Sequence, residues 1–136
     1  MTELRPYQYV VLRCVPRVDR EEFVNVGVVL YCEDAGFLDV AWHCDAARLR
    51  ALDPSVDVDA VCDALTFVDW VCAGDERAGD AARVGLGQRF GFLRAPRSTV
   101  VQPSPVHGGL TADPGVELHR LLGHYVGTGD EGGRSE

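Results

Sequence analysis

The sequence predicts an α+β fold: a small antiparallel sheet of three to four strands, containing a hairpin, with helices packed on its apolar face. Three observations predict it. Two early segments, YQYVVLRCV and VNVGVVLYC, are rich in β-branched and aromatic residues, the composition of strands. A short turn signal, EDAG, joins the second to a third such run, FLDVAWHC. Runs with helical spacing then follow the strands instead of alternating with them, and helices grouped against grouped strands make an α+β layer.

The first strand is expected over 7–15 and ends at Pro16, which has no N–H for a ladder. A charged link, PRVDREE, leads to a second strand over 24–32, with a short helical turn expected near 21–25. Gly36 can take the positive φ that a tight EDAG turn needs. The third strand is expected over 37–44. Side chains two apart share a face. On that rule one face collects Val10, Leu12, Cys14, Val26, Val28, Leu30, Cys32, Leu38, Val40, Trp42 and Cys44. The other collects Tyr9, Arg13, Asn25, Gly27, Tyr31, Asp39 and His43.

Asp45 is placed to cap a short helix over 45–52. Pro54 separates it from a longer helix over 56–73, where Val58, Val61, Cys62, Leu65, Val68 and Cys72 form an apolar stripe and Gly74 supplies a stop. Residues 75–95 carry scattered glycines and no steady period. A short helix followed by a loop or irregular strand is expected there. STVVQ reads as a fourth strand and PSPVHGG as a turn. Asp113 and Pro114 are an N-cap and a first helical residue for a final helix over 116–126. One domain is expected over 1–126 and a flexible polar tail over 127–136.

Composition narrows the function classes. With 46% hydrophobic residues in 136, the chain can build a core and is not a disordered segment. Its net charge is -8 and its 13 cationic side chains are all arginine, dispersed along the chain. That balance disfavours binding to a phosphate backbone; a nucleic-acid role would need a hidden face built from Arg83, Arg89, Arg94 and Arg97. MTELRPYQY does not read as a signal peptide, and no apolar run approaches the roughly 18 residues of a membrane span. The expected location is the cytoplasm, with no membrane contact. Five cysteines, an odd number with no CxxC pair, then predict buried thiols and no disulfide framework.

No complete catalytic, cofactor or metal motif is present, so neither cofactor nor metal is expected. Cys14, Cys32 and Cys44 share a predicted face, but among apolar neighbours they read as core. VGLGQRFGF lacks the GxGxxG spacing and the lysine of a phosphate loop; its glycines read as a flexible turn or close crossings. His119 and His124 are five apart, poorly placed to share a helix face. The candidate site is a polar cluster. Arg13 lies within an apolar strand, where a charge must reach solvent, pair with an acid or bind a ligand. Glu22 and Asn25 frame the entry to the second strand. An Arg13–Glu22 ion pair and a ligand- or partner-binding cluster of Arg13, Glu22, Asn25 and His43 are both open readings. Gly27, in a strand, marks a bulge or a close backbone approach.

YQYVVLRCVPRVDREEFVNVGVVLYC resembles the opening signature of the uncharacterised bacterial family catalogued as domain of unknown function 3037: a tyrosine-rich strand, R-x-V-P, then E-F-x-N-x-G-V-x-L. Tyr9, Arg13, Val15, Pro16, Glu22, Phe23, Asn25, Gly27, Val28 and Leu30 carry the match, and HRLLGHYV is similar to the family's closing segment. The resemblance implies no activity. It implies that Arg13, Glu22, Asn25 and Gly27 are the suggestive positions, with Arg48 a weaker addition, and that a HipA-like kinase is a candidate partner. The expected function is a small non-catalytic accessory or protein-interaction protein, acting with another protein or as a homodimer. The alternative is an enzyme or small-ligand binder using the Arg13 cluster.

Overall fold

A computed structural model describes residues 3–127 of the chain. The architecture is α+β, a small antiparallel sheet with helices packed against it. Its strands are β1 (Arg5–Cys14), β2 (Val24–Cys32), β3 (Phe37–Trp42), β4 (Val101–Pro103) and β5 (His107–Thr111). Its helices are α1 (Ala46–Leu52), α2 (Val58–Ala73), α3 (Leu86–Arg94) and α4 (Pro114–Tyr125). The tail expected at 127–136 lies, apart from Gly127, outside the described residues.

The sheet order is β3-β2-β1-β4, and β5 also pairs with β1. β4 and β5 share one side of β1: β5 faces Arg5 to Tyr9, and β4 faces Leu12 to Cys14. Ser104 bridges the gap. Its N–H donates to the Val11 carbonyl at 2.8 Å, and its hydroxyl accepts from the Val11 N–H at 2.8 Å. The PSPVHGG segment, expected as a turn, thus contributes strand β5. Gly108 and Gly109 hid it because glycine has little intrinsic strand preference; β1 supplies the template.

The β2–β3 turn forms as expected, a 3₁₀ turn over Glu33–Ala35 closed by Gly36 at φ 60. Four aspartates cap helical segments. Asp45 accepts from the N–H groups of Ala47 and Arg48, Asp57 from Ala60, Asp75 from Arg77, and Asp113 from Gly115 and Val116. Gly74, at φ 71, closes α2.

The expected face assignment is corrected in β2. Leu12 pairs with Gly27 and Arg13 with Asn25, so Val26 is the extra residue of a bulge. One added residue reverses the inward–outward phase of the rest of a strand. Val26 stays with Val10, Leu12 and Cys14, but Val28, Leu30 and Cys32 pass to the opposite face while Val29 and Tyr31 join the first.

Both faces are covered. On the first, the sheet packs against Leu49 of α1, Val61, Leu65, Val68 and Val71 of α2, and Phe90 and Leu93 of α3. On the second, Tyr7, Tyr9, Val11, Val28, Leu30 and Cys32 pack against Leu118, Leu121 and Leu122 of α4. The layer expected to be aromatic and polar is therefore a second core.

The 75–95 stretch forms a 3₁₀ segment broken at Gly79 and then α3, not a loop or strand. Packing overrides glycine's poor helix propensity here. Phe90 stacks on Tyr31 at 5.3 Å, and Gly87 lies so close to the Tyr31 hydroxyl that a Cβ would sit 3.2 Å from it.

The five-thiol expectation is also corrected. Cys44 and Cys62 form a disulfide, while Cys14, Cys32 and Cys72 are free and buried. An odd total says nothing about two neighbours: Cys44 precedes α1 just beyond the end of β3, and α2 runs past it. Burial, with Asp53 adding to it, pushes the Cys14 thiol up to about 11. Burial raises Cys72 as well. These are inert core thiols. Cys14 and Cys32 fall on opposite sheet faces.

Candidate functional site

Arg13 lies on β1 between Asn25 of β2 and Gln102 of β4. Pro16 then ends the strand's run, and the link makes a 3₁₀ turn at Val18–Arg20. Glu21 closes that turn at φ 54, a left-handed conformation that costs a non-glycine residue about 1 kcal/mol. The chain then returns so that Phe23 meets Arg13. The guanidinium carbon sits 4.3 Å from the Phe23 ring centroid, a cation–π contact. Arg13 Nε is buried and has no hydrogen-bond partner. Arg13, Val15, Val18, Glu21, Phe23, Gln102 and Pro103 line a hollow of about 260 Å³. Two of its apolar members stay in solvent, Val18 at 60% and Phe23 at 45% exposure.

The expected Arg13–Glu22 ion pair does not form. Glu22 pairs with Arg20 at 3.3 Å, both about half exposed, a contact of little worth to stability. Glu22 also lines a separate, smaller hollow with Pro16, Arg17, Arg20, Leu52 and Asp53. The 3₁₀ turn separates the two: it points Glu22 toward its own link and leaves Phe23 to cover Arg13.

Asn25 and Arg48 come together elsewhere, at the C-terminus of α4. The Asn25 amide donates to the Tyr125 carbonyl at 3.1 Å. Arg48 donates to the Val126 carbonyl at 2.9 Å and to the Asn25 carbonyl at 3.2 Å. Helix ends leave carbonyls unpaired and carry partial negative charge, so an amide and a guanidinium are the fitting partners. This clamp ties α1 on the first face to α4 on the second. Gly27 takes part in packing: a Cβ there would lie 2.9 Å from both the Ala41 oxygen and the Trp42 Cβ. His43 follows β3, and its N–H donates to the Val26 carbonyl at 2.9 Å, holding the bulge. The six sequence candidates thus divide among a hollow, a helix clamp, a bulge and an exposed ion pair. None of these hollows gathers Arg13, Glu22, Asn25 and His43 together.

A polar network missed in the sequence lies under α4. The Tyr7 hydroxyl donates to Glu117 at 2.5 Å, and Arg120 holds the same carboxylate at 2.6 Å. Tyr9 and Tyr125 share a hydroxyl–hydroxyl bond of 2.8 Å, and His107 packs on the Tyr9 ring at 5.3 Å. Burial first, then the bond to Glu117, pushes Tyr7 up to about 12. Burial first and Tyr125 second raise Tyr9. The Arg120 guanidinium holds Glu117 below the usual carboxylate range. Both phenols therefore stay protonated; Tyr7 donates to Glu117, while either hydroxyl of the Tyr9–Tyr125 pair can be the donor. The sequence did carry a signal: Tyr7 and Tyr9 are two apart on one strand face, and Glu117 falls in the first turn of the helix that covers it. Phe23 was equally legible, as an aromatic side chain inside a charged link.

The family model described as a protein of unknown function, DUF3037, matches residues 9–126. The chain belongs to the DUF3037 family. Arg13, Phe23, the Asn25–Arg48 clamp and the Tyr9–Tyr125 pair all fall within the matched region of this DUF3037 chain. No curated protein and no solved structure matches it. Among the described residues no three His, Cys, Asp or Glu side chains are grouped to hold a metal ion, and no helix is long and apolar enough to cross a membrane.

Proposed function

We propose that this DUF3037 chain is a small non-catalytic accessory domain that works by binding another protein, with the Arg13–Phe23 corner as its docking site. One observation carries the reading. A guanidinium is stacked on an exposed aromatic ring at the wall of a hollow, with a buried Nε–H that has no acceptor. Leaving such a donor unmade costs about 1–3 kcal/mol. A partner's carboxylate or carbonyl oxygen entering the hollow would meet the Arg13 guanidinium that lines it, while Phe23 and Val18 give up their exposed apolar surface. Arginine and aromatic anchors of this kind dominate protein interfaces.

The family resemblance makes a HipA-like kinase the candidate partner. Of the four arginines that a nucleic-acid face would need, two are held by the chain's own carbonyls or ring and a third makes only an exposed ion pair. Arg83 pairs with Asp80, Arg89 donates to the Val71 and Cys72 carbonyls, and Arg97 stacks on Phe92.

The test is affinity capture of the tagged chain from its native cells, with Arg13→Ala and Phe23→Ala variants whose circular dichroism matches the parent. The expected result is a stoichiometric protein partner that both variants lose. A partner retained equally by both variants overturns the assignment of the site. A small molecule retained in place of any protein overturns the accessory reading itself.

A further inference from the structure

An open sheet ends in two edges, and each shows unpaired backbone N–H and C=O groups to any strand that approaches. The edges of this sheet are not alike. At β3 the Val40 N–H donates to the Asp39 carboxylate at 2.8 Å, so a charged side chain occupies the backbone an incoming strand would use. At β4 the strand ends in Pro103, and Pro105 follows two residues later; proline offers no donor. β5 has neither protection. It contains no Pro, Asp, Glu or Arg, and His107, Gly108, Gly109 and Leu110 are all exposed. Leu110 stands 63% exposed in the middle of this uncharged run.

We propose that β5 pairs antiparallel with β5 of a second copy of this chain, across a two-fold axis at Gly109. The strand is complementary to itself in that register. Leu110 of each copy falls opposite Gly108 of the other, so the large apolar side chain meets the residue that has none. His107 falls opposite Thr111. An isologous contact requires this kind of self-matching, and strand addition supplies backbone hydrogen bonds along it. Charge selects the same edge. Each copy carries -8 and repels the other, and β5 is an approach with no formal charge of its own. The result is one continuous antiparallel sheet across both copies. Arg13 pairs with β4, beyond the segment of β1 that β5 covers, so the dimer leaves both Arg13 hollows open. The pairing is independent of the docking function proposed above.

The experiment is sedimentation equilibrium of the full chain from low to high micromolar concentration, beside Leu110→Lys. The wild type should approach twice the chain mass. Leu110→Lys sets like charges near the axis and should weaken the dimer at least about tenfold, with circular dichroism unchanged because Leu110 is exposed. Amide exchange of the wild type gives a second reading that needs no variant: β5 amides should exchange more slowly at high concentration than at low. A wild type that stays monomeric throughout, a dimer indifferent to Leu110→Lys, or β5 exchange independent of concentration overturns the proposal.

Discussion

Gly27 sits where a strand, a bulge and a neighbouring strand leave no space for a methyl group. A Cβ would lie 2.9 Å from the Ala41 carbonyl oxygen, and backbone cannot swing aside as a flexible side chain can. Gly27→Ala should therefore lower stability by about 1–3 kcal/mol, the usual cost of overpacking. Urea unfolding checks it: the midpoint should fall while the slope stays constant. An unchanged midpoint would show that β3 moves freely away from β2. At this scale the sequence was informative where one residue decides a local geometry. Asp45 and Asp113 read correctly as caps because a side-chain oxygen two or three residues before free N–H groups is a local fact. Gly27 read correctly as the mark of a bulge or a close approach: it borders the bulge at Val26 and lies close against Ala41 and Trp42. Arg13 was conspicuous, but its partner was not. Whether a strand arginine meets Glu22 or Phe23 depends on the path of the link between them, and that path turns on a left-handed Glu21 that the sequence does not announce.

Elements were legible where their period was clean, and illegible where another element made them. β2, α1 and α2 fall close to their expected limits because apolar spacing and caps agree. β5 and α3 are glycine-rich and take their form from β1 and Tyr31. The face error in β2 has one cause, the extra residue at Val26, which period-2 reading cannot count without the partner strand. The Cys44–Cys62 link was invisible for a similar reason, since it joins the approach to α1 to the side of α2. It closes a segment of 18 residues, and cross-linking a loop of that size is worth about 3 kcal/mol, mainly by restricting the unfolded chain. Reduction should therefore lower stability by about that amount. In denaturant, thiol titration should find the three free cysteines before reduction and all five after it. Five reactive thiols without reductant would contradict the link.

The two cores share one sheet, and this determines how the molecule unfolds. Val10 and Leu12 of β1 face α2, while Tyr9 and Val11 of the same strand face α4. None of β1, β2 and β3 can leave one core and remain in the other. The Asn25–Arg48 clamp ties the helices across the sheet, and β1 sits between β2 and the β4–β5 pair. The chain should consequently unfold in one cooperative step, although its apolar residues form two separate clusters. The probes for each side are distinct. Both tryptophans, Trp42 and Trp70, belong to the first cluster, so their emission reports on the α2 side, while amide exchange in α4 reports on the other. Leu121 belongs to the second cluster alone and is 3% exposed. Leu121→Ala should cost about 2–5 kcal/mol. In a one-step molecule that loss must appear in the tryptophan transition, although Leu121 touches neither indole's cluster. The denaturant midpoints from tryptophan emission and from α4 exchange should move together. A variant in which α4 exchange accelerates while the tryptophan midpoint holds would mean that α4 opens by itself, leaving the first face and its disulfide as the independently stable unit.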